Sequence, residues 1–271
     1  MNKVVTLCYH DIFDKDNDLD SSGIKGKGAN IYKLHQAKFH KQIKLLNVLK
    51  EIEVVSILDT SSKVKVNRKV ILTFDDGGIS AYTKIFPILE NAGMVGHFFI
   101  IGDRVGKEGF VNESQIREMR NHGHIIGTHS FSHPKRISSL SIKTIKNEWE
   151  KGIQTLEDVL GERISVASIP NGYSSKQVLE CASNAGISHI FNSNPMIKIK
   201  KYKNCVVIGR YPVQNQHDEN YVASIVNRKL TTICRHSAEW RIKSIIRSIG
   251  GESYLKIREK LLNMQSNNIN D

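Results

Sequence analysis

Two adjacent carboxylates, Asp75 and Asp76, follow the apolar run VILTF at 70–74 and precede Gly77 and Gly78. Like charges side by side repel, and each favours protonation of the other. A bound cation removes the difficulty, because it favours the ionised form of both. A second cluster, GTHSFSHP at 127–134, holds His129 and His133 four residues apart. An extended chain would separate them by roughly 13 Å, too far for one ion. Pro134 cannot continue a strand ladder and the serines favour local turns, so the segment should turn and let the rings converge. Taken alone, the histidine spacing is a weak metal signal, and the Asp–Asp–Gly–Gly stretch reads equally well as a capped turn. Together, one Asp and two His make a three-ligand set with an open position, the pattern of a catalytic divalent-metal site. Asp76, His129 and His133 meet it, and Asp75 is left for another task. A carboxylate of pKa near 4 cannot usefully deprotonate bulk water near 15.7, but a metal lowers that value to about 7.

These residues need elements to carry them. Strand-like runs occur at 3–9, 53–58, 69–74, 95–101, 124–128, 164–169 and 205–209, alternating with helical patterns at 39–50, 80–92, 112–123, 141–160 and 174–185. Pro87 lies inside the second helical pattern and should kink or break it. The alternation predicts a mainly parallel sheet covered by helices, either a barrel or an open doubly wound sheet. His10, the Asp pair, His129, Pro170 with Asn171, and Arg210 each follow a predicted strand, at the carboxyl ends where parallel α/β folds build their sites.

The bulk numbers frame the function. The chain has 271 residues, 39% hydrophobic and 24% charged, with a formal charge of +12. That excess favours anionic partners. Nucleic acid is disfavoured, because no helix-turn-helix, zinc-finger or RNP-like signature accompanies the charge and aromatics are 7%. Cys8, Cys181, Cys205 and Cys234 form no C-x-x-C pair, which suits free thiols in a reducing compartment. The N-terminal apolar run is too short for a signal-peptide core and no stretch suffices for a membrane span, so a cytoplasmic protein is expected. The basic helical stretch 235–264, interrupted by Gly250 and Gly251, carries Trp240, Ile245, Ile246, Tyr254, Leu255, Leu261 and Leu262. It should pack on the main domain or lie on an anionic membrane surface.

The motifs TFDDG (73–77), HSFSH (129–133) and SIPNGYS (168–174), with the run GFVNESQIREMRNHGHIIGTHSFSH, resemble the polysaccharide deacetylases, the NodB-homology group of carbohydrate esterases. The resemblance covers about residues 3–215. It implies a distorted (β/α) barrel of about seven parallel strands over 1–215, with 216–271 as a basic helical extension. It also implies metal-dependent hydrolysis of an acyl group, foremost N-acetyl, on a sugar or polysaccharide precursor. By resemblance, Asp75 is the general base, and Asp76, His129 and His133 hold zinc, with cobalt, nickel or manganese able to serve. Pro170, Asn171 and Tyr173 belong to the motif that contacts oxyanion and substrate, the backbone N–H of Asn171 being the oxyanion donor. The branch with an N-terminal YH suggests His10 as general acid. Ser168 and Asn171 stand where the family commonly has Arg and Tyr, so Arg210 becomes the candidate to orient the base. The Asp-x-Trp and late Leu-x-His motifs of the secreted branch are absent. A nucleotide-linked or lipid-linked acylated sugar would suit the charge and a cytoplasmic location. The alternatives are an amidohydrolase of the same fold acting on a cyclic amide or imide, and a catalytically silent glycan-binding homologue. His97 reads as a satisfied core histidine, His122 and His124 as caps or solvated groups, and Cys8 as packing. His35, His40, His189, His217 and His236 have no companion motif.

Overall fold

The computed structural model describes residues 3–15, 19–59, 68–242 and 244–246. In chain order the elements are β1 (Val5–Tyr9), β2 (Ile12–Phe13), α1 (Lys27–Asn30), β3 (Leu34–His35), α2 (Gln36–Val48), β4 (Ile52–Val54), β5 (Arg68–Phe74) and α3 (Phe86–Ala92). They continue with β6 (Gly96–Ile100), α4 (Glu113–Asn121), β7 (Ile125–Thr128), α5 (Ile142–Leu160), β8 (Val166–Ser168) and α6 (Lys176–Asn184). The last are β9 (His189–Phe191), β10 (Lys200–Tyr202), β11 (Cys205–Ile208), β12 (Tyr211–Pro212) and α7 (Glu219–Val226), after which 230–242 is again helical.

The sheet runs β10-β11-β9-β8-β7-β6-β5-β1-β12, with β4 on β5. Every pairing in it is parallel except β10 with β11. β11 and β12 lie on one stretch of chain, 205–212, whose first part pairs with β9 and whose second part pairs with β1. That stretch therefore joins the two ends of the sheet. The staves of the resulting distorted barrel are β1, β5, β6, β7, β8, β9 and 205–212, the seven that the family resemblance implies.

Period-two alternation assigns the two faces of each stave. Val5, Leu7, Val70, Leu72, Phe74, Phe98, Ile126 and Ala167 join the core between sheet and helices. Their alternates Ile71, Phe99, Ile125, Val166, Phe191 and Ile208 form a second apolar cluster with Val4, Val55 and Ile57, which plugs the barrel. Continuing the inward register toward the carboxyl ends reaches Cys8, Asp75, His129, Ser168 and Arg210, all buried. The apolar plug supports a polar layer above it, and that layer is the site. Gly127 makes the plug fit, since a Cβ there would stand 2.6 Å from the Val166 carbonyl oxygen and 2.7 Å from the Phe99 ring.

Some expectations need correction. Of the predicted strand 53–58, only Glu53 and Val54 pair as a strand, within Ile52–Val54. Val55 and Ile57 turn inward to the plug instead, and the Ile57 N–H donates to His97 Nε2 at 3.0 Å. The helical pattern around Pro87 is interrupted as expected: a π turn at Ala81–Ile85 gives way to α3, with the proline in its first turn where the missing N–H does least harm. The extended pieces β9, β10 and β12, two or three residues each, were not anticipated. His124 is neither solvated nor a cap; it is buried, accepting the Gly96 N–H at Nδ1 over 3.0 Å. Gly250, Gly251, Tyr254, Leu255, Leu261 and Leu262 lie outside the described residues.

His97 is fully enclosed, with Nδ1 3.0 Å from the Leu72 carbonyl oxygen, and burial lowers its pKa to about 4. The folded state therefore keeps the ring neutral between pH 4 and 6.5, whereas the unfolded chain protonates it there. Stability from this group is complete above pH 6.5 and is lost as pH falls toward 4. Urea unfolding of the wild type should weaken across that window. His97→Gln should flatten the dependence by up to about 1.4 kcal/mol per pH unit, one proton's worth.

Candidate active site

The opening carboxylates leave β5 at the barrel mouth. The Asp75 N–H donates to the Tyr9 carbonyl at 3.0 Å, which continues the β1–β5 ladder by one residue and keeps Asp75 on the inward face. Asp76 then takes a left-handed conformation, φ 76°, which turns the chain out of the ladder. Non-glycine residues rarely adopt it, and such strain concentrates at functional sites. Ser130 (φ 63°) and His133 (φ 55°) share it, so the loop after β7 reverses tightly, as the serines and Pro134 imply.

Asp76, His129 and His133 converge. His129 Nε2 lies 3.5 Å and His133 Nε2 3.6 Å from Asp76 Oδ1, and the ring centroids are 4.9 Å apart. Two ligands held about 2.0–2.1 Å from a tetrahedral ion stand about 3.4 Å apart. The separations therefore fit a divalent cation. His129 Nδ1 faces the Ser168 carbonyl oxygen at 2.9 Å, which places the ring proton there and leaves the Nε2 lone pair toward Asp76. Burial lowers the pKa of both rings to about 4, against the upward pull of Asp75, so both are neutral ligands at ordinary pH. Burial also raises the Asp76 pKa, opposed by His10 and His129.

The other carboxylate is treated differently. Arg210 donates from both terminal nitrogens to Asp75, Nη1 to Oδ1 at 2.7 Å and Nη2 to Oδ2 at 2.8 Å. Its Nε donates to the Asn192 carbonyl at 3.2 Å and its guanidinium lies over the Phe99 ring. Ser168 Oγ adds a third donor to Asp75 Oδ2 at 3.2 Å. Burial alone would raise the Asp75 pKa; Arg210, with His129 and the hydrogen bonds, outweighs it and holds the carboxyl well below the usual carboxylate range. Cys8 Sγ is 3.8 Å from Asp75 Oδ2, and burial pushes its thiol far up, which keeps it protonated and supports its reading as packing.

His10 joins this group: ligand atoms of Cys8, His10 and Asp75 lie within 4.8 Å of one another. Its ring leans on Tyr32 at 4.8 Å between centroids. The third motif is split. Asn171, left-handed at φ 54°, lines the cavity, while Pro170 and Tyr173 are buried and do not line it. The Tyr173 ring lies instead beneath the Arg136 guanidinium at 5.7 Å.

Several contributing residues carry no motif. Glu148 on α5 accepts from the Ser132 N–H at 2.9 Å and hydroxyl at 2.7 Å, pinning the loop between the two histidines. Its place among Ile145, Trp149 and Gly152 on the buried face of α5 was the available signal. Gly152 lets that helix approach, since a Cβ there would stand 2.6 Å from Thr128 Oγ1 and 2.8 Å from the Ser130 carbonyl carbon. A cavity of about 920 Å³ opens over the centre. Its far walls are the 24–33 segment and residues of 214–240, among them Gln214, His217, His236 and Trp240. His217, without a companion in the sequence, stacks on Tyr221 at 3.6 Å.

Fold and site together define a NodB-like barrel with an Asp–His–His cluster at its mouth. Residues 62–190 match the family model described as polysaccharide deacetylase. The peptidoglycan-N-acetylmuramic acid deacetylase PdaA of Bacillus subtilis is 29% identical over 126 residues, 46% of this chain and 46% of that one. The Streptococcus pyogenes deacetylase PplD, solved in complex with acetate, superimposes with a TM-score of 0.68 at 17% identity, covering 83% of this chain and 98% of that one. A polysaccharide deacetylase from Bacillus cereus gives 0.69 at 21% identity, covering 83% and 69%. These structures share the fold. The chain spans about half the length of curated relatives it matches.

Glu148→Ala releases the loop between His129 and His133. Zinc affinity, measured by competition with a chromophoric chelator, should fall about 10–100-fold, the usual effect of losing a group that orients ligands.

Proposed function

We propose that this protein is a divalent-metal-dependent deacetylase that removes an N-acetyl group from a sugar. The observation that carries the reading is the convergence of Asp76, His129 and His133 at ion-compatible separations beside a second carboxylate clamped by Arg210. A divalent cation held by those three residues, zinc being the first candidate, would supply Lewis acidity toward water and the acyl carbonyl.

The remaining work falls to the chain. Asp75, kept ionised and directed by Arg210 and Ser168, accepts the proton of the attacking water. The backbone N–H of Asn171 supports the oxyanion as the carbonyl becomes tetrahedral. His10 hands a proton to the departing amine, which then leaves as the C–N bond breaks. The complete ligand triad supports deacetylation over opening of a cyclic imide. The clamped Asp75 supports catalysis over silent glycan binding, since binding alone has no use for an oriented base.

A cytoplasmic site of action belongs to the same proposal, supported by four cysteines present as free thiols. So does contact of the C-terminal segment with an anionic membrane surface, supported by exposed Ile242, Ile245 and Ile246 beside Arg241.

Purified protein should carry about one divalent ion per chain and release acetate from N-acetylated sugars, with chelation abolishing and zinc restoring the reaction. Asp75→Asn should lower kcat by about 10²–10⁴ while zinc content stays unchanged; an unaltered rate rejects the role given to Asp75.

A further inference from the structure

The walls of the cavity carry a charge pattern that deacetylation of a neutral sugar does not explain. Lys25 and Lys27 line it from the 24–33 segment, Arg104 and Lys135 beside the histidine loop, and Arg235 from the C-terminal helical segment. The carboxylates facing the same space are committed elsewhere. Asp75 is clamped by Arg210, and Asp76 faces the two histidines. Asp11 accepts from the Ser22 and Ser80 hydroxyls, at 2.5 and 2.8 Å. Glu239 stands 3.8 Å from Arg235, and Arg104 is 3.3 Å from Asp103.

Like charges converging on a concave, low-dielectric surface raise the energy of the empty cleft and focus an attractive field for anions. A divalent cation at the triad would strengthen that field. Gly26, between Lys25 and Lys27, sits at φ 107° and ψ 160°, a region essentially closed to other residues, and a Cβ there would meet nothing within 4 Å. The backbone is thus held in a glycine-only shape where the cavity is open. None of these lysines and arginines is among the residues proposed for chemistry, which are Asp75, Asp76, His10, His129, His133, Ser168, Asn171 and Arg210.

We infer that the cleft binds its acylated sugar through a phosphate ester or diester attached to it, with Lys25 and Lys27 as the principal phosphate contacts. This rests on the deacetylase reading for the sugar but not for the anion site. The cavity volume has room for a sugar together with a charged neighbour.

The test pairs N-acetylglucosamine 1-phosphate with the uncharged methyl glycoside of N-acetylglucosamine, using the full zinc-loaded chain. Calorimetry should find the phosphorylated sugar bound at least about tenfold more tightly, the scale of one or two charge-assisted contacts. The preference should shrink below about threefold in the Lys25→Ala/Lys27→Ala double variant and fall as salt rises. Zinc content and thermal melting of that variant report whether it is folded, and Lys25→Gln alone gives a milder second measurement. Equal binding of the two sugars, or a preference untouched by the lysine changes, overturns the inference. Tighter phosphate-sugar binding without acetate release from either compound leaves the anion site standing and rejects the deacetylase reading instead. Where both hold, acetate release from nucleoside-diphosphate-linked, lipid-diphosphate-linked and glycerol-phosphate-linked N-acetylated sugars separates the sources of the phosphate.

Discussion

The site depends on the two-point contact between Arg210 and Asp75. Two neighbouring carboxylates, each buried, cannot both stay ionised without compensation. The guanidinium compensates one of them, and its planar fork fixes the direction of the carboxylate as well as its charge. Removing one partner of such a buried pair typically costs about 3–5 kcal/mol, because the other charge is left uncompensated. Asp76 receives no arginine, and its pKa is displaced the opposite way. The pair is thus divided into a carboxylate clamped by an arginine and a carboxylate that faces two neutral imidazoles at ion-compatible separations.

That division sets the character of Asp75, the proposed base. A carboxyl held below its ordinary range is a weak proton acceptor, so Asp75 gives up basicity in exchange for a constant charge and a fixed aim. Ser168 and Arg210 leave little freedom to either oxygen. The histidines are fixed with similar economy: one proton on His129 Nδ1 is committed to the Ser168 carbonyl, and the loop between the rings hangs from Glu148.

Much of this was legible in the residues. Alternation along the strand-like runs places Asp75, His129 and Arg210 on one face, and the strand-end rule places them at one rim. The convergence of His129 and His133 followed from serines and a proline between and after them. What stayed hidden depends on distance along the chain or on very short elements. The resemblance names Arg210 as the partner of Asp75, but how they meet across 135 residues, through 205–212 joining both ends of the sheet, was not visible. β12 has two residues, too few to show a period. The run 53–58 has strand composition, yet Val55 and Ile57 are drawn under the barrel by a floor that no local pattern reveals. Tyr173, grouped with the substrate motif in sequence, packs under Arg136 once the turn at Asn171 directs it away from the cavity.

The seventh stave has a consequence for how activity arises during synthesis. Residues up to Asn192 already include both aspartates and both imidazoles, with His129 and Ser168 beside Asp75, but the largest favourable charge on that carboxylate comes from Arg210. Only when 205–212 slots between β9 and β1 does the guanidinium arrive. A nascent or clipped chain lacking this stretch would have an unzipped cylinder and an unclamped Asp75 together, so the proposed hydrolytic competence is tied to completing the wall.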